Sequence, residues 1–133
     1  MSTERALKTS FTSVGILLII QGLLLLLFPH LATKLLFVLP LQTAQAAQYV
    51  RSTGLGVAII GYYYYIAGKY GLIDFFRASI IGRFFALPVI VAMVYFYSIE
   101  IQLIIFGLQD LVTAFWSYRC LKAYDNEQGK IKN

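Results

Sequence analysis

Residues 13–28 read SVGILLIIQGLLLLLF, an apolar run that after Ser13 is interrupted by Gln21 and glycines alone. With residues 11 and 12 the run approaches the ~20 apolar residues that a helix needs to cross the hydrocarbon core of a bilayer. Pro29 ends it, because proline cannot continue the backbone hydrogen bonding of a helix. The stretch therefore predicts a transmembrane helix over about 11–28.

A cleaved signal peptide is the competing interpretation of this first apolar run. Arg5 and Lys8 precede the run, and Ala44-Gln45-Ala46 has the pattern of a cleavage site. Cleavage usually follows the apolar run closely, whereas this pattern lies well beyond it. We therefore interpret the run as an uncleaved first span.

The composition of the whole chain favours a membrane protein. Of its 133 residues, 59% are hydrophobic and 13% are charged, against about 25% charged in a typical soluble domain. A soluble chain of this size could not shield so much apolar surface from water, whereas lipid can act as its solvent. The net charge of +5 does not indicate nucleic-acid binding, because most basic residues lie beside predicted membrane exits, where anionic headgroups attract them.

Three further apolar stretches have a length similar to the first. The four predicted spans cover about 11–28, 46–67, 75–97 and 100–121. The link at 98–99 is so short that the third and fourth spans must be antiparallel neighbours. We therefore predict an all-α fold, an integral membrane four-helix bundle. It forms a single transmembrane domain over 1–133, with a polar cytoplasmic tail at 123–133 that is disordered from Asp125 onward.

A shorter apolar segment, Leu31–Leu39, lies between the first two spans and is bracketed by Pro29 and Pro40. At ~1.5 Å per residue it is too short to cross a bilayer. We predict that it forms a short interfacial helix along the outer face of the membrane.

The placement of basic residues predicts the orientation of the chain. Lys and Arg are enriched on the cytoplasmic side of membrane proteins. They mark the amino end, the connection between spans two and three, and the carboxyl end: Arg5, Lys8, Lys69, Arg119, Lys122, Lys130 and Lys132. We therefore predict a multi-pass membrane protein with both termini in the cytoplasm.

Polar groups near the middle of the spans form the candidate site. A helix rise of ~1.5 Å per residue places Arg83 in span three and Asp110 in span four roughly 13–16 Å deep. Gln21 in span one falls at a similar depth. Charged residues at this depth usually face the bundle interior. We predict an intramembrane polar cluster of Arg83, Asp110 and Gln21, which is either a structural ion pair or a site for an anion, a proton or a substrate headgroup.

Small residues predict which helix faces point inward, because they let backbones approach closely in lipid. Two stripes consist of small residues: Gly54, Ala58 and Gly61 in span two, and Ala78, Gly82 and Ala86 in span three. A third, in span four, combines small and polar residues: Glu100, Leu103, Gly107, Asp110, Ala114 and Ser117. Two further charged residues, Arg51 and Glu100, both lie nearer the outer surface. They are the candidates for a second, outer pair.

No residue pattern predicts a catalytic, cofactor or metal site. The sequence has a single histidine, His30, and a single cysteine, Cys120, which is too few for the usual Cys/His zinc site or a haem with two histidine ligands. It also contains no HExxH or GxSxG motif. We therefore expect a protein that is not an enzyme and that holds no cofactor.

The small-residue stripes favour a structural or accessory role in or beside a membrane complex. The expected partners are membrane lipids and either other membrane proteins or further copies of the chain. An oligomeric transporter or channel that uses Arg83 and Asp110 is the alternative, and a lipid-acting membrane enzyme ranks last.

In size and span count the chain is similar to small bacterial four-helix membrane proteins, including DoxX-like proteins and the small multidrug exporters. The exporters carry a membrane-embedded acid in their first helix. This chain has Gln21 in that region, which disfavours drug–proton exchange.

Overall fold

The computed structural model describes residues 2–35, 42–98 and 101–132, and within these ranges it contains helices and no strand. The elements are α1 (Ser2–Leu27), α2 (Pro29–Leu35), α3 (Ala44–Tyr70), α4 (Ile73–Tyr97), a 3-10 turn (Ile101–Leu103) and α5 (Ile104–Lys132). The predicted all-α class is confirmed.

Three segments of the described chain are long and apolar enough to cross a membrane: Thr3–Leu27, Ile73–Tyr97 and Ile101–Ile131. They indicate a helical membrane protein. Helix α3 has 27 residues and therefore sufficient length. Its apolar character is weakened by Arg51 and by the tyrosines of Tyr62–Tyr65. The predicted second span, over 46–67, and with it the four-helix bundle, therefore stays a prediction.

Pro29 separates α1 from α2. The backbone N–H of Phe28 still donates to the carbonyl of Leu24, and that of Ala32 donates to the carbonyl of Phe28, both at 2.9 Å. Helical hydrogen bonding thus continues on both sides of the proline, which lacks its own N–H. The predicted short helix is present as α2, whereas residues 36–41 lie outside the described residues and the orientation of α2 in a membrane stays a prediction.

The chain divides into two compact units. We call Ser13–Tyr65 the central unit, and Met1–Thr12 together with Ile66–Asn133 the terminal unit. Both α1 and α3 run through both units, and each unit has its own helix–helix contacts.

In the central unit, α1 and α3 are antiparallel and touch through their backbones. A Cβ atom built at Gly15 would lie 2.5 Å from the backbone nitrogen of Tyr65, and one built at Gly54 would lie 2.6 Å from the carbonyl oxygen of Gly22. Gly61 is in similar contact with Ile19. The predicted small-residue stripe of span two is therefore confirmed as a packing surface, as expected of helices in lipid.

In the terminal unit, the beginning of α1 runs antiparallel to the end of α5. The Thr3 hydroxyl donates to the Glu127 carboxylate, and the hydroxyls of Ser10 and Ser117 are 3.2 Å apart. The beginning of α1 and the end of α5 therefore lie at the same end of this unit. The core is formed by apolar side chains of α1, α4 and α5: Leu7, Phe11, Phe76, Ile80, Ala114 and Leu121.

The prediction of a disordered tail is wrong, because α5 continues as a helix to Lys132. Asp125 bonds to Arg77 of α4, and Glu127 bonds to Thr3 of α1. Polar contacts with two neighbouring helices thus hold a segment whose composition alone suggested disorder.

The connection between α3 and α4 is a tight helix end. Gly71 has a left-handed backbone with φ of 66°, and the N–H of Leu72 donates to the carbonyl of Ala67 at 3.0 Å. This is the bond of a Schellman motif, which ends a helix at a glycine. It lets α4 begin at Ile73 directly after the turn.

Candidate functional site

Arg83 is a charged residue of the terminal unit, and it is buried, with 5% of its surface exposed. It lies on the face of α4 that also buries Phe76 and Ile80, at helical spacings of seven and three residues. Its guanidinium carbon is 5.7 Å from the centroid of the Phe11 ring, a distance at which a cation is attracted to an aromatic face. The inward orientation predicted for Arg83 is therefore present in the structure.

Phe11 provides an aromatic surface beside this guanidinium. Its ring stacks on Phe76 with centroids 4.1 Å apart and meets Phe75 edge-on at 6.5 Å. A helical side chain points back toward the amino end of its helix. The long Arg83 side chain accordingly extends toward the turn that carries Phe76, where Phe11 is located.

A pair of buried hydroxyls lies in the same unit. Ser10 and Ser117 are both 0% exposed, and their oxygens are 3.2 Å apart. Ser10 donates its proton to the carbonyl of Leu7 at 2.8 Å. Because a hydroxyl has a single proton, Ser117 is the donor in the bond to Ser10. Both protons are thus engaged.

Asp110 belongs to the terminal unit as well and is half-buried on α5. The helix register is set by two contacts: Leu87 against Gly107, and the ring of Phe84 against that of Tyr118 at 6.2 Å. Asp110 therefore lies at a level of α4 just beyond Phe84, toward the carboxyl end of that helix.

The two helices run in opposite directions, so the side chains of Arg83 and Asp110 lean toward opposite ends of the unit. The structure thus places both charges in one unit. A direct ion pair between their side chains stays a prediction. Gln21 is half-buried in the central unit, and its membership of the cluster also stays a prediction.

The predicted outer pair joins Arg51 and Glu100, and Glu100 lies outside the described residues. Arg51 donates to the backbone carbonyl of Leu26 at 3.0 Å. Leu26 lies in the last turn of α1, where carbonyls lack helical donors and a cation complements the helix dipole. Arg51 thus has a partner that the sequence did not indicate.

The predicted small-residue stripe of span three is wrong in its orientation. Arg83 is buried, but Ala78 and Gly82 are exposed. Successive residues on a helix point about 100° apart, so the two neighbours Gly82 and Arg83 occupy different faces. The stripe of span four, by contrast, does bury Gly107 along with Ala114 and Ser117.

Sequence reasoning also missed an ion pair between α4 and α5. Arg77 donates through both terminal nitrogens to the two carboxylate oxygens of Asp125, at 2.9 and 2.5 Å. Bidentate geometry of this kind is the strongest arrangement for an arginine and a carboxylate. No local signal pointed to Asp125, because its role depends on α5 remaining helical beyond the apolar segment.

Among the described residues, no three His, Cys, Asp or Glu side chains are grouped closely enough to hold a metal ion.

No family model, no curated protein and no solved structure matches the chain. What the site offers is a buried cation on an aromatic surface, a half-buried carboxylate in the same unit and a pair of bonded hydroxyls. These are means of fixing helices together or of attracting an anion.

Proposed function

We propose that the protein is a structural or accessory component of a membrane complex. In this proposal it crosses the membrane four times, keeps both termini in the cytoplasm, and packs against another membrane protein. The observation that carries the proposal is an exposed apolar surface on α4, which we call the Gly82 face: Ala78, Ile81, Gly82, Phe85 and Val89.

Gly82 offers a bare backbone on this face. A Cβ atom built there would meet no atom within 4 Å. At Gly15, Gly54 and Gly107 a Cβ would instead meet a neighbouring helix at 2.5, 2.6 and 2.9 Å. The glycines packed inside the molecule therefore serve as contact points between helices, and Gly82 presents the same surface outward.

Lipid alone gives no reason for a glycine at such a position. A glycine inside a helix costs about 1 kcal/mol relative to alanine. Close packing of a second helix offsets that cost, because helix association in lipid depends on near contact of backbones. The Gly82 face thus supports association with a transmembrane helix of a partner protein.

The presence of two charged residues, Arg83 and Asp110, on apolar helices of one unit is the ground for the alternative, an oligomeric transporter or channel. Charged residues inside apolar helices often mark substrate or ion pathways. In that case the Gly82 face would join copies of this chain, since one copy has few helices with which to enclose a pathway.

The test compares the wild type with Gly82→Leu in membranes solubilised in digitonin, using native gel migration and the composition of the complex. Gly56→Leu is the matched control: Gly56 is also exposed with no atom within 4 Å of its Cβ position, but it shares its helix face with the polar residues Ser52 and Thr53 and does not belong to a wholly apolar surface like the Gly82 face. We expect the wild type and Gly56→Leu to migrate with a second protein at fixed stoichiometry, and Gly82→Leu to migrate alone.

Unchanged helix content of Gly82→Leu by circular dichroism excludes a folding defect. A wild-type monomer, or an intact complex in Gly82→Leu, would refute the proposal. A complex of identical copies would favour the alternative, which a flux assay of Asp110→Asn in proteoliposomes then tests.

A further inference from the structure

We propose that a basic groove in the terminal unit binds the phosphate of an anionic lipid headgroup. The groove lies where the beginning of α1 passes the end of α3, and its volume is about 410 Å³. Its lining includes Arg5, Lys8 and Lys69. The proposal is independent of the accessory role.

The groove has an excess of positive charge. Three cations line it against one carboxylate, Glu4, so its net charge is +2 (three minus one). Glu4 is engaged with Lys8, whose ammonium nitrogen is 3.1 Å from the carboxylate oxygen. Arg5 and Lys69 are both exposed and supply the remaining charge. Such charge-assisted donors bind phosphate oxygens strongly.

Gly68, which lines the groove, and Gly71, which contacts Lys8, permit close contacts around it. A Cβ atom built at Gly68 would lie 2.7 Å from the backbone nitrogen of Thr12, so the two helices are in backbone contact there. A Cβ built at Gly71 would lie 2.6 Å from Cε of Lys8. Because Gly71 has no side chain, the stem of Lys8 occupies this space. The position of Lys8 is therefore set by the backbone.

Hydroxyl groups extend the same surface along α1. Arg5, Lys8, Thr9 and Thr12 follow three- and four-residue spacings and so lie on one face of the helix. The single hydroxyl proton of Thr12 is shared between the carbonyls of Lys8 and Thr9, at 3.1 and 3.0 Å, and the Thr12 oxygen can still accept a bond. Thr9 is exposed and adds a further hydroxyl.

The location of the groove favours a lipid as the source of the phosphate. Thr12 directly precedes the apolar run 13–28, so the groove lies at the level where α1 enters the hydrocarbon. Lipid phosphates occupy this interfacial level, and anionic lipids are attracted to basic residues near it. An arginine and two lysines at one concave site would select anionic over zwitterionic headgroups.

The experiment measures lipid binding to the purified chain by native mass spectrometry. Dioleoyl-phosphatidylglycerol is compared with dioleoyl-phosphatidylcholine, and excess inorganic phosphate is added as a competitor. We expect one phosphatidylglycerol per chain and weaker binding of phosphatidylcholine. Retention of phosphatidylglycerol in excess phosphate identifies the lipid as the ligand, whereas its displacement shows that free phosphate occupies the same site.

Two variants test the groove itself. Each cation near the surface contributes about fivefold in affinity, so Arg5→Gln with Lys69→Gln should lower phosphatidylglycerol binding about 25-fold. Lys122→Gln with Lys130→Gln removes the same charge outside the groove. Because neither lysine lines the groove, this control should lose less than about threefold.

Thr9→Trp blocks the groove without changing its charge and should also abolish binding. It keeps the test valid if the doubly neutralised variant fails to fold. Equal losses in both double variants, undiminished binding by Thr9→Trp, or equal binding of the two lipids would overturn the proposal.

Discussion

Gly22 is a position where one added methyl group should separate two helices. A Cβ atom there would lie 2.6 Å from the carbonyl oxygen of Gly54 and 2.8 Å from the Cα of Ala58. Both atoms belong to the backbone of α3 and cannot rotate away. Since ordinary contacts of this kind begin at about 3.4 Å, Gly22→Ala must push α1 and α3 apart by several tenths of an ångström.

The magnitude follows from two opposing effects. Overpacking a close contact costs about 1–3 kcal/mol, and backbone against backbone belongs to the upper part of that range. Replacing glycine by alanine in a helix stabilises it by about 1 kcal/mol. We therefore expect Gly22→Ala to lower the free energy of unfolding by about 1–2 kcal/mol.

Gly56→Ala is the control and should have the opposite sign. Gly56 lies on α3, one of the same two helices, but its Cβ position has no atom within 4 Å. It should gain about 1 kcal/mol from helix propensity without a clash. The assay is reversible unfolding in mixed micelles of increasing dodecyl sulfate content, followed by circular dichroism. If Gly22→Ala is as stable as Gly56→Ala, the backbone contact between α1 and α3 does not exist.

Three further predictions concern the terminal unit. Arg77→Gln with Asp125→Asn should show a coupling energy of about 0.2–1 kcal/mol in a double-mutant cycle of unfolding, because the pair is half-exposed; zero coupling would contradict it. Ser117→Ala should lower stability by about 1 kcal/mol through loss of the buried bond to Ser10, and an unchanged unfolding midpoint would oppose that bond. Lys130→Cys, in a cysteine-free background, should resist an impermeant thiol reagent on intact cells, whereas labelling from outside would reverse the proposed topology.

The sequence predicted the helices well wherever composition alone decides them. The third span was predicted over 75–97 and α4 covers Ile73–Tyr97; the second was predicted over 46–67 and α3 covers Ala44–Tyr70. Apolar content could not predict that α1 begins at Ser2 or that α5 ends at Lys132. Those polar turns are held by contacts with other helices, which leave no periodic signal in the residues themselves.

The candidate site was predictable in its residue types and less so in its geometry. Burial of Arg83 followed from the cost of exposing a charge to lipid. The level of Asp110 depended on where α5 begins, and the 3-10 turn at Ile101–Leu103 changes the rise per residue there. Phe11 could not be singled out, because an aromatic side chain in an apolar helix has the same appearance whether it faces lipid or a guanidinium.

The surroundings of Arg83 argue for a structural role over transport. A transport arginine has to exchange its ligand, and this requires access by water or substrate. Arg83 is 5% exposed, and its guanidinium lies beside a Phe11 ring that is itself fully buried and stacked on Phe76. The aromatic contact offsets part of the cost of burying the charge. Because these groups come from α1 and α4, the arginine favours one relative placement of the two helices, which a protein that packs against a partner requires.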